Sequence, residues 1–230
     1  MFWKFGGYAT VSSIDTILDK PEFTLEEILD DHDLLDEIKQ RNGKLIEYLH
    51  QGHILERLLD YVVAAKLPTV TVTEPDKTIE KEGARSRMLR LYRERSTSST
   101  QMKSKREDEE SEKKLNHYSL MSTEVLSSEI WSISGALTKY PHLIHGFWKF
   151  LKRDAPLDPL QASNFTKVNE LLFEKETHEM KHLFMSMPGV VNDLLNHVEC
   201  PMIMDLLLKI IAMERNVGGG GMIEVGPPVS

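Results

Sequence analysis

Leu45-Ile-Glu-Tyr-Leu-His-Gln-Gly-His-Ile-Leu-Glu-Arg-Leu-Leu-Asp-Tyr-Val62 sets Leu45, Ile46 and Leu49, then Ile54, Leu55, Leu58, Leu59 and Val62, at spacings of three and four. Residues so spaced share one face of an α-helix, so this segment predicts two amphipathic helices joined by a short link. Adding 149 to each position reaches Leu194, Leu195, Val198, Ile203, Met204, Leu207, Leu208 and Ile211, and all eight remain apolar. Two hairpins of equal link length and register are what stacked units of an α-solenoid present. Any two amphipathic hairpins with equal links also align this way, so a true repeat and a shared pattern both fit. Under either reading the fold class is all-α: stacked helical hairpins, HEAT/armadillo-like.

The same punctuation extends in both directions. Upstream, Thr24-x-x-Glu27 is a capping box ahead of Leu25, Ile28 and Leu29, and Asp33 is the expected N-cap before Leu34, Leu35 and Ile38. Downstream, helical patterns run through 124–137, 142–152, 158–174, 177–186, 188–198 and 201–214. Pro141, Pro156, Pro188 and Pro201 stand near starts or boundaries, where a missing N–H costs least. Thr69-Val-Thr-Val-Thr73 is the lone strand-like run. Between the helical segments, 74–117 holds 12 bases and 10 acids with few strongly apolar residues. Such composition cannot repay the entropy of ordering, so 66–117 is read as a long, largely disordered insertion. The organisation expected is therefore 1–65 helical, 66–117 inserted, 118–216 helical again, and 217–230 a flexible Gly- and Pro-rich tail.

Composition narrows the function. The chain has 230 residues, 40% of them hydrophobic and 28% charged, with a net charge of −8. An acidic chain does not suit general nucleic-acid binding, which needs a basic surface. The single cysteine, Cys200, excludes an internal disulfide and fits a reducing cytoplasmic or nuclear compartment. The opening residues lack the apolar core of a signal peptide, and Met202–Met213 is too short and too charged to span a bilayer. No nucleic-acid or membrane partner is expected.

One string carries catalytic chemistry in principle. His178-Glu-Met-Lys-His182 is an H-E-x-x-H sequence, which on a helix places two imidazoles on one face for Zn²⁺ and a glutamate as general base. Met185 stands where the extended metzincin motif needs Gly, and a third ligand is available only from Glu199 or Glu214. A zinc hydrolase is therefore the alternative reading, not the leading one. Cys200 follows His197 by three residues at a helix junction beside Pro201, which suits a structural thiol. Gly218–Gly221 lacks the Lys-Ser/Thr ending of a phosphate loop. Arg85, Arg87, Arg90, Arg93 and Arg95 are followed by an acidic run from Glu107 to Glu112, the pattern of a polyampholyte loop. Trp131 and Trp148 sit at helical spacing among apolar residues and are expected core anchors. No catalytic residue, cofactor or metal is assigned.

Several separated strings, in order, resemble one family. Met1-Phe-Trp-Lys-Phe5, Ile14-Asp-Thr-Ile-Leu-Asp-Lys20 and Thr24-Leu-Glu-Glu-Ile-Leu-Asp-Asp31 are similar to the opening of the SAPS-domain proteins. Phe147-Trp-Lys-Phe-Leu151, Pro159-Leu-Gln-Ala-Ser-Asn-Phe-Thr-Lys167 and Met204-Asp-Leu-Leu-Leu-Lys209 continue the match. The resemblance implies a non-catalytic helical-repeat regulatory subunit. Such a scaffold binds the catalytic subunit of a phosphatase-six type serine/threonine phosphatase and directs it, with roles in cell-cycle progression and growth signalling. Family members continue through several hundred further residues, so the chain resembles their N-terminal part. A solenoid cut mid-array is expected to expose the apolar face its next repeat would cover. Within the matching string, Asn164 and Lys167 lie three apart on one helical face. They are the candidate partner contacts, with hydrogen bonds to a neighbouring helix as the competing role.

Overall fold

The computed structural model describes residues 12–65, 67 and 99–218. Five short helices come first: α1 (Ser13–Leu18), α2 (Leu25–Leu29), α3 (Leu34–Lys39), α4 (Gly43–Leu49) and α5 (Gly52–Val62). The long α6 (Ser99–Leu126) precedes α7 (Trp131–Thr138) and α8 (Pro141–Trp148), whose last residue leads into a 3₁₀ turn (Lys149–Lys152). Then follow α9 (Pro159–Lys175), α10 (Thr177–Ser186), α11 (Val190–Leu195) and α12 (Pro201–Gly218). No strand occurs among the described residues, so the fold is all-α. No described helix is long and apolar enough to cross a membrane.

Local chemistry explains the starts. Thr24 accepts from the backbone N–H of Glu27, as the capping box requires, while the Glu27 carboxylate turns instead to Lys20 at 2.8 Å. Asn42 caps α4 through the N–H of Leu45, and Asp158 caps α9 through that of Gln161, with Pro159 next. Asp33 precedes α3 as expected but makes no capping bond. Its carboxylate and that of Asp31 accept instead from the Ser13 hydroxyl, which ties α3 to α1.

One expected helix divides. The pattern through 124–137 is not one helix, because α6 stops at Leu126 and α7 starts at Trp131. The polar Ser127-Ser128-Glu129 run between them ends one apolar face before the next begins. The compact unit resumes at Tyr118, and α6 reaches back from it to Ser99, into the segment read as insertion. Its Lys-, Arg- and Glu-rich sequence favours helix, and Glu110 pairs with Lys114 one turn on at 3.2 Å. The strand-like run at 69–73, the arginine cluster at 85–95 and the tail from 219 lie outside the described residues.

Residues 12–63 and 118–218 share one compact unit. The hub of its core is α9, which packs on α5, α7, α10 and α12. Phe165 is fully buried, with the rings of Phe147, Phe150 and Trp148 centred 4.8, 5.1 and 5.4 Å away. Phe173 and Phe184 close the cluster around Trp148. Trp148 is thus the core anchor its spacing predicted; the side chain of Trp131 lies outside the described residues. The eight-position match between 45–62 and 194–211 does not extend to burial. Leu55, Leu58, Leu59 and Val62 are buried, whereas Leu208 and Ile211 at the matching positions are exposed, and α12 meets the core through Ile203, Leu206 and Ile210.

Candidate partner-binding site

The two residues singled out on α9 occupy different surroundings. Asn164 is buried, and its amide donates to the Ser119 hydroxyl at 2.9 Å. That hydroxyl donates in turn to the Val62 carbonyl at 3.2 Å, so two bonds link α9, α6 and the end of α5. Lys167, on the next turn, is exposed and its Nζ donates to Glu124 of α6 at 2.6 Å. One face of α9 therefore holds a structural amide inside and an ion pair at the surface. Lys167 is the member of the pair that a partner can reach.

The ion pair stands at a cleft of about 460 Å³, lined by Glu124, Ser127 and Glu129 on one side and Leu35, Ile38 and Arg41 on the other. Arg41, which follows the C-cap of α3, has φ 59°, a left-handed conformation that a non-glycine residue adopts at a cost. Charges of both signs line this cleft together with Leu35, Ile38 and Ile130, so its lining mixes polar and aliphatic groups. Reading 124–137 as one helix hid this feature, since the break at 127–130 is what opens the cleft. The Ser127-Ser128-Glu129 run was the available signal.

A second polar centre braces the N-terminal helices. Glu26 of α2 accepts hydrogen bonds from Arg57 and Tyr61 of α5. Burial pushes the Glu26 carboxyl up, but the bonds from Tyr61 and Arg57 and the guanidinium charge outweigh it, leaving it below the usual carboxylate value. The Tyr118 hydroxyl donates to Asp30 at 3.1 Å, and burial together with that carboxylate pushes the phenol up to about 12.

The catalytic strings are not assembled. His178, Glu179 and His182 all lie on the exposed face of α10. Among the described residues, no third His, Cys or carboxylate lies within ligand distance of them. The one trio among the described residues with mutually close donor atoms is Asp31, His32 and Asp33, where Asp31 already accepts from Ser13 and from the Asp33 N–H. His197 is buried with Nε2 donating to the Leu151 carbonyl at 2.9 Å, while Nδ1 has no partner. The imidazole is thus held by the 3₁₀ turn, with no hydrogen bond to the Cys200 thiol.

Comparison with known proteins bears on the whole unit. Residues 169–226 match the family model for SAPS, SIT4 phosphatase-associated protein. The fission-yeast (Schizosaccharomyces pombe) protein named extragenic suppressor of kinetochore protein 1 is 35% identical over 220 residues, covering 94% of this chain and 22% of that protein. Serine/threonine-protein phosphatase 6 regulatory subunit 3-A of Xenopus laevis is 29% identical over 211 residues, covering 92% of this chain and 20% of its own length. SIT4-associating protein SAP190 of Saccharomyces cerevisiae is 26% identical over 230 residues, with 87% and 22% covered. The chain thus spans about a fifth of the length of these relatives. No solved structure matches it.

Proposed function

We propose that this chain, similar over 87% of its length to a SIT4-associating protein and over residues 169–226 to the SAPS family model, is a non-catalytic regulatory and scaffold module. It binds the catalytic subunit of a serine/threonine phosphatase of the phosphatase-six/SIT4 type and directs it toward substrates. The observation that carries this reading is coverage: similarity to proteins named as phosphatase regulatory subunits runs through 92% of the chain, and so through helices on both sides of the 64–117 segment. Those helices pack as one unit, so the related surface is a folded one. The regulatory role extends to cell-cycle and growth signalling, in the cytoplasm or nucleus, consistent with a lone free thiol at Cys200.

The surface around Lys167 and Glu124 is the proposed contact, since it combines an accessible charge pair with a cleft beside it that carries both charged and aliphatic side chains. Purified chain on beads should retain the purified catalytic subunit, and Lys167→Glu should weaken retention while leaving the melting temperature unchanged. No retention by the unaltered chain would overturn the function. Retention unaffected by Lys167→Glu would move the contact elsewhere.

A further inference from the structure

We infer that the outer face of α8 and the following 3₁₀ turn is a docking surface for a short acidic peptide with one aliphatic side chain. From Ile130 to Arg153 the sequence contains no Asp or Glu, although the chain as a whole carries −8. Four of its six bases fall in one register. His142, His145, Lys149 and Lys152 recur at spacings of three, four and three, which puts them on one helical face. In a 3₁₀ turn residues three apart are eclipsed, so Lys149 and Lys152 project side by side.

The opposite face of the same segment is consumed by the core through Leu143, Ile144, Phe147, Trp148, Phe150 and Leu151, which fixes the basic stripe outward. Lys149 and Lys152 are exposed, and neither has an ion-pair partner among the described residues. Arg153 next to them is used differently. Its guanidinium donates to Gln161 and to the Val63 carbonyl and lies over the Phe150 ring, so it belongs to the fold. On α8 and the turn, the unpaired lysines are therefore Lys149 and Lys152.

Beside them lies a cleft of about 170 Å³ whose lining includes Trp148, Met187, Pro188 and Val190, with His145 and both lysines around it. Asp193 also lines it but forms no ion pair with either lysine. The stripe measures about 16 Å at 1.5 Å per helical residue and 2.0 Å per 3₁₀ residue. That length matches about five residues of extended peptide at 3.3 Å each. Two unpaired cations along a line select carboxylates, and the apolar cleft selects a neighbouring aliphatic side chain. This surface stands apart from the phosphatase proposal, because its ligand is defined by charge and shape alone.

The probe is a fluorescein-labelled seven-residue peptide of glutamates with one central leucine, titrated with the full chain and read by fluorescence anisotropy. Binding is expected at 0.1 M salt and is lost at 1 M, where the screening length falls from about 10 to about 3 Å. Lys149→Glu with Lys152→Glu should weaken it by about tenfold or more, whereas Lys20→Glu with Lys39→Glu, the same change in net charge elsewhere, should leave it within about twofold. If the reversed pair fails to melt cooperatively, Lys149→Gln with Lys152→Gln replaces it, with about a threefold loss expected. Replacing the central leucine by serine should also weaken binding. No binding by the unaltered chain, equal losses in both charge-reversed pairs, or preference for phosphatidylserine vesicles over the peptide would each overturn the inference.

Discussion

Asn164 and Ser119 stand 2.9 Å apart inside the fold, and each is the other's means of satisfying a buried polar group. Removing the amide leaves the Ser119 hydroxyl with only its bond to Val62, while removing the hydroxyl orphans both the Asn164 amide and the Val62 carbonyl. Asn164→Ala and Ser119→Ala should each cost about 1–3 kcal/mol, the usual penalty for an unsatisfied buried group. The double variant should lose less than the sum, because the bonds form one relay. Urea denaturation of the four proteins measures this, and strictly additive losses would mean that the bonds act separately.

Trp148 joins three aromatic neighbours from α9 and α10, and its indole N–H has no partner. Its contribution is therefore packing alone. Trp148→Ala should cost about 3–5 kcal/mol through the cavity left behind. Trp148→Phe should cost clearly less, since no hydrogen bond is lost with the indole. An Ala variant with an unchanged denaturation midpoint would remove Trp148 from the core.

The lowered carboxyl of Glu26 makes a statement about acid stability. A carboxyl held below its ordinary value of 4.5 in the fold contributes stability that is complete above that value and is lost as pH falls through the lower folded value. Asp60 has the opposite sign, because burial and then the Glu56 charge raise its carboxyl, and it resists this loss. Glu26→Gln should lower the melting temperature at neutral pH and flatten its decline below about pH 4.5. Parallel pH profiles for the variant and the unaltered chain would contradict the assignment.

Exposed on α10, His178 and His182 hold no buried contact. His178→Ala and His182→Ala should each change stability by no more than about 0.5 kcal/mol. Elemental analysis after dialysis against chelator should find no stoichiometric zinc in the unaltered chain. One equivalent of zinc that His178→Ala removes would restore the hydrolase reading.

What the sequence made legible was what depends on neighbours along the chain. The period of three and four placed α4, α5, α9, α10 and α12 close to their observed bounds, and Thr24 announced the cap of α2. Trp148 was legible as an anchor because apolar residues flank it at helical spacing. What stayed hidden depends on partners far apart in sequence. Asp33 looked like a cap until Ser13 of another helix claimed its carboxylate. Asn164 and Lys167 were chosen together, yet only the arrival of α6 beside α9 decides that one is buried and the other exposed. The cleft near Glu124 needs α3 as a wall, and periodicity within 124–137 carries no trace of it.

The end of α5 is finished by residues that come much later in the chain. The Val62 carbonyl is bonded by Ser119, and the Val63 carbonyl by Arg153, 57 and 90 positions downstream. During synthesis at about 5–20 residues per second, Arg153 follows Val63 out of the ribosome after about 5–18 s. The Val62 carbonyl is left to water until Ser119 emerges and the Val63 carbonyl until Arg153 does, while the apolar face of α5 waits for α8 and α9. The N-terminal helices therefore emerge as an unfinished half, open to chaperones until their second half is made.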